Sequence, residues 1–221
     1  MNTFKRLVAS GALLGAYGYG ALEQATPAYE PTSTTQASAN LSPESRQNLL
    51  RMEQGITSRV GNLSTVELVI LEGADTYNCP NPNKLPVVSG EITTYSYESP
   101  FYCWSKRSVV IGAGMYNQVQ DLMADNPSYY KAFDEFVAAH EYSHGRQQHE
   151  GLKPSDITLD KVVGIELQAD CMAGEILGDM GSGEIPRVRR FLEELPADVT
   201  HGTGEDRADA FMRGVYGQDC A

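Results

Sequence analysis

The chain has 221 residues, 41% hydrophobic and 21% charged, with 29 acidic against 17 basic side chains and a formal net charge of -12. That length and apolar content allow one globular domain with its own core and leave no room for two large ones. Without clustered Lys and Arg there is no surface for tracking phosphates, so no nucleic-acid partner is expected.

Residues 1–22 begin MNTFKR and continue as an uncharged run from Leu7 to Leu22 with small residues towards its end, the layout of an export leader. As a helix the run would be roughly 24 Å long against a hydrocarbon core of about 30 Å. Cleavage is therefore favoured over retention as a short anchor, and the membrane is a partner only if the leader is kept. The expected location is secreted or periplasmic, with membrane anchoring as the alternative. Residues 23–41, rich in Ser, Thr, Ala, Pro and Gln, have little to bury and read as a flexible tether. The folded domain is expected over residues 42–221.

That domain opens with Ser42 as a helix N-cap, Pro43 in the first turn, and Leu49, Met52, Ile56 and Val60 at helical spacing. Runs of β-branched and aromatic residues at 66–73, 90–99 and 107–112, bounded by Pro, Asn and Gly, read as strands of one small sheet. Helical patterns follow at 115–124, 127–148, 159–180, 186–194 and 204–216. Strands early and helices late give an α+β class, a small antiparallel or mixed sheet followed by helices. Four cysteines, Cys79, Cys103, Cys171 and Cys220, fit two disulfides in an oxidising compartment. Of the three pairings possible, 79 with 103 and 171 with 220 is the expected one, with a free thiol at Cys171 as the alternative.

The chemistry concentrates in the second half. In the helix over 127–148, Phe133, Phe136 and Val137 form an apolar stripe that continues through His140 and His144, so both imidazoles face inward. Glu141 lies about 100° round the helix, where it can flank a metal as a general base without ligating it. This is the His-Glu-x-x-His pattern, in which imidazoles four residues apart share one zinc ion and the carboxylate reaches its water. The plainer reading of HEYSH is a pair of core histidines. A second stripe weighs against that reading: Leu159, Val163, Ala173 and Leu177 share a helix face with Glu166 and Asp170. Two carboxylates among aliphatic residues cost several kcal/mol unless a cation or donors lie opposite. Glu166 is accordingly the expected third ligand, leaving the open position of a catalytic rather than structural zinc. Asp170 is expected to orient a ligand imidazole, its alternatives being an ordinary buried salt bridge with Arg or Lys, or ligation in place of Glu166. A longer zinc-protease pattern would need Gly at 147 and His at 150; Gln147 and Glu150 stand there, so His149 is read as solvated.

The segments SPFYC (99–103), AAHEYSHGRQ (138–147), ELQADCMAG (166–174) and THGTGEDRADAFMRG (200–214) together resemble the neutral zinc metallopeptidase family of bacteria, over most of residues 60–220. The resemblance implies a zincin-like fold and a thermolysin-like site: one zinc ion held by His140, His144 and Glu166, with Glu141 catalytic. It also implies an N-terminal leader or anchor. The chain departs from the family in its short segment between Gly174 and Thr200, and in Gly145, where relatives often carry another His.

The expected activity is zinc-dependent hydrolysis of a protein or peptide substrate. His201, just before a helix capped by Thr203, is the candidate donor to the oxyanion; its plainer role is to hold its own loop. The run 107–114 is the expected free strand edge for an extended substrate, with an interior strand as the alternative. Two competing classes are a non-catalytic zinc-binding scaffold and a zinc amidase acting on a cell-wall or other non-protein amide.

Overall fold

A computed structural model of the chain describes residues 40–72, 76–79, 94–96, 100–113, 128–158 and 160–221. The leader, nearly all of the tether, Leu159 and the predicted helix at 115–124 lie outside these residues. Ser42 caps α1 (Pro43–Arg59) as expected, its hydroxyl accepting from the Ser45 amide at 3.1 Å, with Pro43 in the first turn. Leu49, Met52 and Ile56 are buried on the inner face of α1, and Val60 sits just past its end as the C-cap.

Among the described residues five strands follow: β1 (Glu67–Leu71), β2 (Thr76–Asn78), β3 (Thr94–Ser96), β4 (Phe101–Cys103) and β5 (Ser108–Gly112). β5 pairs in parallel with β1 and antiparallel with β4, giving a mixed three-stranded sheet in the order β1-β5-β4. Two expectations change here. The described part of the predicted strand at 90–99 does not join that sheet; it pairs with β2 in a separate antiparallel ladder. The run at 107–114 is not the expected free edge either: its strand, β5, is central with both sides paired, the interior alternative. The two unforeseen strands, β2 and β4, are three residues each, too short to show alternation.

Side chains of the sheet divide by the two-residue period of a strand. Tyr102, Val109 and Ile111 face the helices and the main core. Phe101, Cys103 and Val110 face the other way, into a small cluster with Leu71 and Cys79. A Cys79–Cys103 disulfide joins this cluster.

Across the main core lie α2 (Ser128–His149), α3 (Val162–Asp179), α4 (Ile185–Glu193) and α5 (Gly204–Val215). The single inward stripe read for α2 is an understatement. The helix is buried on nearly every side from Ala132 to Gly145, because α1 and the sheet cover one face while α3 and α4 cover the other. α3 and α5 pack almost backbone to backbone: a Cβ on Gly174 would stand 1.9 Å from the Phe211 carbonyl oxygen, and one on Gly214 1.8 Å from that of Cys171. A Cys171–Cys220 disulfide adds the C-terminus to this pair, so both expected pairings are present. No helix among the described residues is long and apolar enough to cross a membrane.

The α1–α2 contact holds a buried carboxylate. Asp134 is 1% exposed and accepts from Asn48 Nδ2 at 3.0 Å. Burial raises its pKa from 3.8 to about 7, against the pull of hydrogen bonds from Asn48 and Ser45. The folded state therefore holds this proton more tightly than the unfolded chain. The stability it contributes is complete below pH 4 and is lost as the pH rises through 7. An Asp134→Asn variant should be more stable than wild type at pH 8 by about 2 kcal/mol, with no gain at pH 4; urea unfolding at the two pH values checks both signs.

Candidate metal centre

α2 and α3 lie side by side and bring their polar stripes together. His140 Nε2 is 3.1 Å from Glu166 Oε2, and His144 Nε2 is 3.5 Å from the same oxygen. One ligand atom from each of His140, His144 and Glu166 lies within 4.8 Å of the others, and all three residues are buried. Two imidazoles and a carboxylate are a donor set suited to a borderline divalent cation, and three protein ligands are the complement of a catalytic zinc site. Glu166 Oε1 is buried with no hydrogen-bond partner among the described residues, an arrangement costly in the absence of a cation. The residues thus fit a metal ion.

Each histidine is held through its other nitrogen. His140 Nδ1 is 2.8 Å from Asp170 Oδ1. Asp170 in turn accepts from Arg207 of α5, Nε to Oδ2 at 2.8 Å and Nη2 to Oδ1 at 2.9 Å. Asp170 thus meets both the His140 ring and an arginine, two of the three readings weighed for it; the third was ligation in place of Glu166. His144 Nδ1 is 2.8 Å from Gln147 Oε1. His201 is brought into the same cluster, its Nε2 3.6 Å from Glu166 Oε2 and its Nδ1 3.0 Å from both oxygens of Asp198. The Asp198 carboxylate also accepts from the His201 backbone amide at 2.7 Å, and an antiparallel bridge between Asp198 and Gly202 closes the loop. Thr203 caps α5 in a reciprocal box with Asp206, which sets where that loop ends.

The electrostatics follow from this packing. Burial works against a charged His140, but the carboxylates of Asp170 and Glu166 outweigh it and raise its pKa to about 10. Burial would raise the pKa of Glu166, yet His144 and His140 hold it well below the usual carboxylate value. Asp170 is likewise lowered, with Arg207 overcoming its burial. Glu141 is different: burial raises its pKa, and the nearby histidines offset this only in part. It is 2% exposed, and its Oε2 has no hydrogen-bond partner among the described residues.

Three supporting residues were not singled out from the sequence for these roles: Arg207, Gln147 and Asp198. His149 is exposed at the end of α2, as expected. Gly145 faces away from the cluster; an added Cβ would meet Tyr102, Val66 and Leu63 at 3.2–3.4 Å. No family model matches this chain, and neither does any curated protein or solved structure.

Proposed function

We propose that the chain is an extracytoplasmic zinc peptidase of zincin-like fold, and that His140, His144 and Glu166 hold its single metal ion. The carrying observation is the convergence of these three buried side chains beside Glu141, a buried carboxylate with a spare oxygen. When bound, zinc would acidify a water molecule and polarise the scissile carbonyl. Glu141 takes the proton from the attacking water and returns it to the leaving amine, a task helped by a pKa raised above the ordinary carboxylate value. His201, fixed by Asp198 through Nδ1 and with Nε2 turned towards the Glu166 carboxylate, donates from Nε2 to the oxyanion with both ring nitrogens protonated, as the carbonyl becomes tetrahedral. The two disulfides support an oxidising location.

The test is cleavage of a mixed peptide library by the full chain, with and without a chelator. Zinc-dependent cleavage, lost on chelation and restored by zinc, is the expected result. A zinc-loaded protein that cleaves nothing would replace this reading with that of a binding scaffold. Removal of the carboxylate ligand gives a second check. Glu166→Ala should weaken zinc binding more than about 100-fold, beyond the 10–100-fold typical of an outer hydrogen-bond partner, as measured by competition with a chromophoric chelator.

A further inference from the structure

We infer that Gln147 is the positioning residue for His144, setting its tautomer and tying it to the helix that carries Glu166. The inference rests on the metal-centre reading above and assigns a part in it to a residue that the ligand pattern does not include.

The chain of donors and acceptors allows one arrangement. The Gln147 amide nitrogen lies 2.8 Å from the backbone carbonyl of Ile165 and 2.8 Å from Gln168 Oε1. A backbone carbonyl only accepts, so the NH2 group must face Ile165 and the amide oxygen must face His144. That oxygen, 2.8 Å from His144 Nδ1, accepts a hydrogen bond from its N–H. Nδ1 therefore carries the hydrogen in neutral His144, and the lone pair sits on Nε2, the nitrogen turned towards Glu166. Flipping the amide would set two oxygens against each other at Ile165, a clash that neither tautomer of His144 relieves. Both hydrogens of the NH2 group and the oxygen are used, and Gln147 is 1% exposed, so water does not compete.

The second consequence concerns the two helices. Ile165 immediately precedes Glu166, so Gln147 connects the His144 ring to the peptide next to the carboxylate ligand. It sits seven residues after His140 and three after His144, on the same face of α2. The two ligand histidines consequently have different supports. His140 has a carboxylate backed by Arg207, and His144 has a neutral amide backed by α3.

The experiment measures zinc affinity by chelator competition, and the visible spectrum of the cobalt-substituted protein, for wild type, Gln147→Met and Gln147→Glu. Methionine fills the space without either hydrogen bond. Glutamate keeps the acceptor towards His144 but turns its second oxygen against the Ile165 carbonyl, so it separates the contact with the ring from the tie to α3. Melting of the metal-free proteins accompanies both measurements, so that a folding defect is seen separately. The expected result is zinc binding about tenfold or more weaker for Gln147→Met with an altered cobalt spectrum, recovered at least in part by Gln147→Glu. A Gln147→Met protein that folds and binds zinc with wild-type affinity overturns the inference and leaves the metal centre standing. Failure of the wild type itself to bind zinc or cobalt overturns the metal centre and this inference with it.

Discussion

Replacing Glu141 by Gln is expected to lower peptide hydrolysis about 1000-fold while leaving bound zinc at the wild-type level, since general-base catalysis contributes typically 10²–10⁴-fold. The amide has nearly the same shape and cannot take the proton. The setting makes the loss severe, because Glu141 is 2% exposed and bulk water cannot easily stand in for it. His201 does not replace it, since its Nδ1 is engaged by Asp198 and its place in the mechanism is that of a donor. Parallel measurement of kcat/KM and zinc content on the two proteins checks the prediction. Equal hydrolysis by both would remove Glu141 from the mechanism, whereas loss of zinc from the variant would make it a ligand.

Arg207→Met should destabilise the fold by about 3–5 kcal/mol, the usual cost of removing one partner from a buried ion pair. Arg207 is 2% exposed and Asp170 is fully buried, so the orphaned carboxylate would have no water to turn to and only the His140 ring beside it. Most of the cost comes from that stranded charge. The double variant Asp170→Asn with Arg207→Met should therefore be more stable than Arg207→Met alone, a sign that simple loss of packing does not produce. Urea unfolding of the single and double variants measures the coupling. Additive effects would mean that the pair is not a unit.

The proposed metal ligands and the support of the histidines differ in how far the sequence reveals them. His140 and His144 are four apart on one helix face, and Glu166 and Asp170 are four apart on another, so both sets were visible as periodic intrusions of polar residues into apolar stripes. The Asp170 carboxylate also called for a cation or donors opposite, but which group depended on tertiary packing, since Arg207 is 37 residues away. Arg207 stands among Glu205, Asp206 and Asp209 in the sequence, the setting of a surface charge. Its signal was available in the stripe Gly204, Arg207, Phe211 and Gly214, all buried and spaced to face one side of α5. Gln147 carried the same kind of signal, one turn beyond His144. Strand order was less accessible. β4 is three residues long and shows no alternation, yet its pairing is what turns the run at 107–112 from an edge into the centre of the sheet.

The proposed site is defined by where a metal ion binds. Anomalous diffraction at the zinc absorption edge, from crystals of the zinc-loaded protein, places that atom without reference to activity. A single peak is expected about 2.0–2.2 Å from His140 Nε2, His144 Nε2 and a Glu166 carboxylate oxygen. A zinc peak elsewhere in the molecule, or none between α2 and α3, would contradict it.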